Sequence, residues 1–375
     1  MDVVDDDALV LVLERVDSHV SLIRAAAVCK RWHSAIADAA FLRRYRSLHA
    51  PPAVGYYHNP PGLSETALLL CPCAPVFVPS PPSIVDARHF SLDFLCGGEG
   101  SWRVMDSRGS LVVLTVTGLR TAFTENVVCE PLTQRYRMIH LPPDSDGFLY
   151  LGPFLLDGEA NEVGGGISMS NFRLLCLFHS NGVTCTSIFT AGSSWSEKSI
   201  DPMAPSIQHS RTLGHASGSL YFYVEGRSRT LTVLDGSNGE FSSSLLPAIE
   251  NWDFHMQRYN CCVTEGCDGQ PRIIVVFDNA MKVFARLDST EWALEKKILL
   301  LEAIHSLPGY HPGHHHIIQT MGQGFIILLQ GSGPAYTFSV NLETMEAAPA
   351  ENNMGLRVYQ CKLPWPPALH AGLDR

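Results

Sequence analysis

Three segments of this chain share one layout: Val127-Val-Cys-Glu-Pro-Leu-Thr-Gln-Arg-Tyr-Arg-Met-Ile-His-Leu-Pro142, Leu231-Thr-Val-Leu-Asp-Gly-Ser-Asn-Gly-Glu-Phe-Ser-Ser-Ser-Leu-Leu-Pro247 and Tyr336-Thr-Phe-Ser-Val-Asn-Leu-Glu-Thr-Met-Glu-Ala-Ala-Pro349. Each reads as a strand, a polar turn, a second strand and a closing proline. The closing prolines lie 105 and 102 residues apart. That is twice a unit of ~40–50 residues, the size of a four-stranded propeller blade. Trp102, Trp195 and Trp292, spaced 93 and 97 residues, each open a strand after a Gly/Ser-type loop and point to the same doubled period.

The same texture extends from about residue 90 to 363. Short runs rich in Val, Leu, Ile, Phe and Tyr alternate with Gly, Asn, Asp, Ser and Pro clusters, as in Ser110–Thr117, Phe172–Phe178, Val183–Phe189, Ser219–Val224, Arg272–Phe277, Phe325–Leu329 and Ala335–Val340. Asn181-Gly182 between alternating strands is a strong hairpin signal, and Asp278-Asn279 marks a second tight connection. Residues 90–363 would hold five or six four-stranded units, so an all-β, propeller-like domain is expected, with paired β-sandwiches as the alternative.

Residues 1–49 differ. Leu9, Val12, Leu13 and Val16 recur at helical spacing. Asp5, Asp6 and Asp7 stand where carboxylates cap free N–H groups. A second helix is predicted from Ser21, its N-cap, to Ile36, with Leu22, Ala25, Ala26, Cys29, Trp32 and Ile36 on one face. A third follows Asp38 and carries Phe41, Leu42, Tyr45 and Leu48 beside Arg43, Arg44 and Arg46. Pro51-Pro52 stops it. Residues 50–89 read as a Pro-rich linker or lead-in, and 364–375 as a tail. The fold class is therefore α+β multidomain: a three-helix module followed by an all-β domain. Val10 and Leu11 lie off the first helix's stripe, so that helix is apolar on more than one side and is expected to need a second polypeptide to cover it.

Composition bounds the function. The chain has 375 residues, 46% hydrophobic and 17% charged, as befits a globular protein with a core. Net charge is −10; residues 1–50 hold seven acids and seven bases, so the whole excess lies beyond them. A nucleic-acid partner needs a basic face, and none is expected. The 11 cysteines form no CxxC and no framework, and there is no Asn-x-Ser/Thr sequon. Free, buried thiols in a reducing compartment are expected. The acidic start and the absence of a long apolar run speak against a signal peptide and a membrane span, so a soluble cytoplasmic and/or nuclear protein is expected.

Motifs for catalysis are sparse. His311-Pro-Gly-His314-His315-His316 is the most metal-like stretch, but successive imidazoles on an extended chain face opposite ways. Gly97-Gly-Glu-Gly100 and Gly164-Gly-Gly166 lack the Lys-Ser/Thr of a phosphate loop. Gly214-His-Ala-Ser-Gly218 lacks the spacing of a nucleophile elbow. Asp106, Asp253, Asp268 and Asp278 could in principle pair across blades as glycosidase acids, yet each reads as a turn aspartate. Arg43-Arg44-x-Arg46 reads as a solvated or internally paired face. The expected catalytic, cofactor and metal residues are none.

Asp6-Asp-Ala-Leu-Val-Leu-Val-Leu-Glu-Arg-Val16, Leu22-Ile-Arg-Ala-Ala-Ala-Val-Cys-Lys-Arg-Trp32 and Phe41-Leu-Arg-Arg44 together resemble an F-box, most specifically at Val28-Cys-Lys-Arg-Trp32 with Phe41 nine residues on. Asp106-Ser-Arg-Gly-Ser-Leu-Val-Val-Leu114 and Val128-Cys-Glu-Pro-Leu-Thr133 are similar to phrases of the plant F-box proteins with a propeller-like associated domain. The Leu-Pro that usually opens the family's first helix is replaced by Val4-Asp5, and the proline that often follows that helix by Asp17. The resemblance implies a non-catalytic, substrate-recognition subunit of a Skp–cullin–F-box ubiquitin ligase. Its F-box would bind the Skp-type adaptor, and through it the cullin, by Leu9, Leu13, Val16, Leu22, Val28, Trp32 and Phe41, while the β domain binds a target protein. The alternatives are a sequestering protein using the same adaptor and a propeller hydrolase.

Overall fold

The computed structural model describes residues 5–49, 53–59, 74–80, 86–95, 101–117, 125–142, 145, 147–156, 167–196, 199–201, 210–224, 230–247, 261–266, 268–277, 279–286, 291–308, 316–322, 325–330, 336–350 and 358–364. Four helices open the chain: α1 (Asp6–Glu14), α2 (His19–Ala26), α3 (Lys30–Ala37) and α4 (Ala39–Leu48). The single helix expected over 21–36 is thus two. Ala27 closes α2 by donating to the carbonyls of Ile23 and Arg24, and Cys29 is extended at φ −161°, ψ 164°. The reason is geometric. In one straight helix Leu22 and Ile36 would stand roughly 21 Å apart along the axis, whereas the break brings both into one core.

The caps also differ from expectation. Ser18, not Ser21, caps α2, its Oγ accepting from the Ser21 N–H at 3.3 Å. Asp38 caps α4, Oδ1 accepting from the N–H groups of Ala40 and Phe41 at 2.9 Å each. Asp5 occupies the N-cap of α1 without a side-chain bond, and Asp6 pairs instead with Arg31 of α3 at 2.7 Å.

Among the described residues that follow, a β-propeller is built of five four-stranded antiparallel sheets and one three-stranded sheet. Blade 1 is β3 (Ser101–Arg108), β4 (Leu111–Thr117), β5 (Glu125–Glu130) and β6 (Arg135–His140). Blade 2 is β7 (Leu149–Leu156), β8 (Arg173–Ser180), β9 (Val183–Thr190) and β10 (Ser199–Asp201). Blade 3 is β11 (Ser210–Ala216), β12 (Ser219–Val224), β13 (Thr230–Asp235) and β14 (Phe241–Leu245). Blade 4 is β15 (Cys261–Glu265), β16 (Pro271–Phe277), β17 (Ala280–Arg286) and β18 (Trp292–Leu299), followed by the short α5 (Leu300–Ile304). Blade 5 is β19 (His316–Gly322), β20 (Phe325–Gln330), β21 (Tyr336–Asn341) and β22 (Ala347–Pro349).

Within each blade the strands pair in chain order, as four-stranded meanders do, and the first strand lies innermost. Middle strands are buried almost end to end, which explains their unbroken apolar runs: Arg173–Ser180 is interior except at its two ends. Separate apolar clusters weld blade 1 to 2, 2 to 3, 3 to 4 and 4 to 5.

The three quoted repeats are the third and fourth strands of blades 1, 3 and 5, so the proline series keeps true register. The tryptophan series does not. Trp102 lies in an innermost strand, Trp195 forms an isolated bridge to Phe189, and Trp292 begins an outermost strand. At the Asn181-Gly182 hairpin both residues have positive φ, 51° and 81°, as a type I′ turn requires.

Residues 50–89 are not simply a linker. They contain β1 (Ala53–His58) and β2 (Val76–Pro79), which complete the ring with β23 (Val358–Lys362) in the order β2-β1-β23. The two ends of the chain therefore close the propeller: Val54 and Tyr57 pack with Cys361 against Val104, Val112 and Cys129 of blade 1, and Val358 meets Ala350 beyond blade 5. Among the described residues this sheet has three strands. Ser80 N–H bonds the Val54 carbonyl, so by alternation the backbone of Phe77 and Pro79 faces the open edge. Pro79 has no N–H to offer there, and the edge is blunted against a fourth strand.

Candidate functional site

The helical module closes its own core. Leu9, Leu13, Leu22, Ala26, Ile36, Phe41, Leu42 and Tyr45 are buried together, with Val10, Val16, Ala25, Trp32 and Ala35 half-buried against them. Tyr45 ties the layers: its hydroxyl donates to the Val16 carbonyl at 2.6 Å, and burial pushes the phenol up to about 12. His19 stands edge-on to its ring at 5.4 Å between centroids. Arg44 pairs with Glu14, joining α4 to α1, so part of the arginine run is internally paired.

This placement sorts the seven expected adaptor residues by burial. Leu9, Leu13, Leu22 and Phe41 face inward and hold the module together. Val16 and Trp32 are half-buried against that core. Val28 alone of the seven is fully presented, with 65% of its surface exposed. Leu11 and Val12 on α1 join it at 58% and 62%, although Val12 falls on the stripe expected to face inward. The described core residues bury one another, and the apolar surplus expected to need cover stands on the outside. The signal was present in Leu11, which breaks the inward spacing.

A second constellation lies in the ring. The inner strands of blades 1, 2, 3 and 5 each carry a β-bulge, between Val104 and Asp106, Tyr150 and Gly152, Thr212 and Gly214, and Ile318 and Thr320. The bulge re-aims the side chains that follow it. Asp106 is consequently not a turn residue; it lies within β3 with 5% of its surface exposed. Its Oδ2 accepts from the Leu155 N–H of β7 at 2.8 Å, and its Oδ1 meets His215 Nε2 of β11 at 3.1 Å. The Asp106 carboxylate raises the imidazole's pKa above its ordinary 6.5, against the opposing effect of burial. Sequence reading missed His215 because its partner lies 109 residues away.

Of the other candidate acids, Asp268 sits in a turn and pairs with Arg272 at 2.9 Å, while Asp253 and Asp278 lie outside the described residues. So do Gly97–Gly100, Gly164–Gly166 and the histidine stretch up to His315. Gly214–Gly218 ends β11 and turns into β12, with Ser217 and Gly218 at φ 50° and 73°. Among the described residues no group of three His, Cys, Asp or Glu side chains is placed to hold a metal ion. The described cysteines are free, and all but Cys29 are buried. Burial pushes Cys176 up to about 12 and raises Cys129 and Cys361 as well, which disfavours the thiolate in each. Among the described residues no helix is long and apolar enough to cross a membrane.

Fold and surface together define a β-propeller with a helical module at its N-terminus. No protein-family model and no curated protein sequence matches the chain. Solved structures align with the chain at low likeness. The β-propeller domain of Cps50 (Swd1) from Myceliophteria thermophila is 8% identical over 67% of this chain and 73% of its own, with a TM-score of 0.37. TolB from Acinetobacter baumannii is 10% identical over 86% and 72%, at 0.39. A functionally unknown protein from Desulfotomaculum acetoxidans is 12% identical over 71% and 77%, at 0.39. The assignment of the fold rests on the sheet order of this chain, and no role is carried over from these structures.

Proposed function

We propose that the chain is the substrate-recognition subunit of a Skp–cullin–F-box ubiquitin ligase. The observation that supports this reading most is a helical module that buries its own cluster and still turns Leu11, Val12 and Val28 to solvent. Three large apolar side chains left exposed on so small a unit suit contact with a partner. In this reading the adaptor covers α1 and the α2–α3 junction, and Leu9, Leu13, Leu22 and Phe41 hold the shape it recognises. Val16 and Trp32 border the contact. The propeller binds the target protein and contributes no chemistry of its own; proximity to a charged conjugating enzyme does the work.

The connection between the two parts favours a fixed geometry. α4 ends at Leu48 and β1 begins at Ala53, whose register partner is Lys362 at the C-terminal end of the inner strand β23. The module therefore joins the ring at the end where the inner strands finish, which leaves the opposite end to the target. Capture of a Skp-type adaptor by the intact chain, followed by ubiquitylation of a co-purified protein in a reconstituted ligase, tests this function. Adaptor binding without any ubiquitin transfer would favour the sequestering role, and no adaptor binding would remove both.

A further inference from the structure

Asp106 and His215 are not on neighbouring blades. β3 belongs to blade 1 and β11 to blade 3, with β7 of blade 2 between them. In a ring of six sheets a contact between the first and third inner strands is a chord across the channel. Asp106 makes that chord while also accepting the Leu155 N–H, so one carboxylate links three successive inner strands.

The charged groups around the chord come from several strands. Arg108 on β3 opposes protonation of His215, and Glu265 at the end of β15 favours it. Lys362 at the end of β23 faces Glu265 and Arg108 in turn, and its own pKa is lowered, chiefly by burial. These residues lie at the C-terminal ends of their strands, the end of the ring at which the helical module joins.

We infer that Asp106 and His215 form a proton-sensitive strut across the channel, tightening the ring at the module's end as the pH falls. A neutral imidazole still donates one hydrogen bond from Nε2, so deprotonation weakens the strut without removing it. Because the folded-state pKa is raised, the added stability is full below about 6.5 and is lost as the pH climbs through the folded value.

The test uses the full chain and thermal unfolding between pH 5.5 and 8.5. The melting temperature of the wild type should exceed that of His215→Gln by about 2 °C more at pH 6 than at pH 8.5. Asp106→Asn gives a sharper outcome. Without the carboxylate, burial and Arg108 prevail over Glu265, the His215 pKa drops below its ordinary value, and the pH dependence reverses sign. Parallel curves for the wild type and His215→Gln would overturn the strut, as would an Asp106→Asn protein that keeps the wild-type slope. If either variant does not fold, an NMR titration of the wild-type histidines decides. The assigned His215 imidazole titrating above 6.5 supports the inference, and the same signal titrating at or below 6.5 overturns it.

Discussion

The helical module and the propeller solve the same problem, burying apolar side chains, in opposite ways. In the propeller a cluster lies between each welded pair of sheets, and the loss of one cluster leaves the others in place. The module has one cluster, fed by single residues from four short helices. Redundancy is what a repeating fold has and a small bundle lacks. The difference teaches which residues are free to act. Most large apolar side chains of the module are spent on its own core, and Leu11, Val12, Val28 and Leu48 are the large ones left exposed among its described residues.

Substitutions can break or sharpen this contrast. The largest effect is expected from Phe41→Ala, which should cost the module ~3–5 kcal/mol and melt it while the propeller stays folded, two transitions in calorimetry where the wild type and ring are compared. A single shared transition would mean that the module is not an independent core. Next is Gly55→Ala. A Cβ there would lie 2.4 Å from both the Phe77 ring and the Val78 carbonyl oxygen, so β2 must shift off β1. About 1–3 kcal/mol should be lost from the ring rather than the module, read as a lower melting temperature with the helical transition unchanged. Asp38→Ala removes the cap that satisfies two N–H groups of α4 and should cost ~0.5–2 kcal/mol, visible as earlier urea unfolding of the module. The smallest stability change, within about 0.5 kcal/mol, belongs to Leu11→Asp and Val28→Asp, whose side chains are already in water.

Some of this was open to reading in the sequence, and the reason can be given residue by residue. The third and fourth strands of alternate blades repeat visibly because a polar turn and a terminal proline bracket each pair, as at Pro142, Pro247 and Pro349. Tryptophan spacing misled, since Trp102, Trp195 and Trp292 occupy three different positions in their blades. The closing sheet was hidden because its strands come from opposite ends of the chain, and because Pro79, which ends β2 at an open edge, looks like linker composition. Asp106 looked like a turn residue beside Ser-Arg-Gly, yet the turn is at Gly109 and Ser110 and the strand runs to Arg108. The break at Cys29 left no periodic trace: Ala25, Ala26 and Ala27 suit a helix that continues, and only the need to bring Ile36 beside Leu22 ends it. Four of the seven residues expected at the adaptor, Leu9, Leu13, Leu22 and Phe41, lie in the core for a related reason. Helical spacing finds the side that faces a core, and here that core is the module's own.

The most direct measurement is equilibrium binding of a purified Skp-type adaptor to the full chain, to Leu11→Asp/Val28→Asp and to Asp38→Ala, with the melting temperature of each taken in parallel. Binding should fall at least tenfold in the double variant, whose stability is intact, and should persist in Asp38→Ala below its melting point. An adaptor that binds the double variant as tightly as the wild type would contradict the claim that these outward side chains form the docking surface.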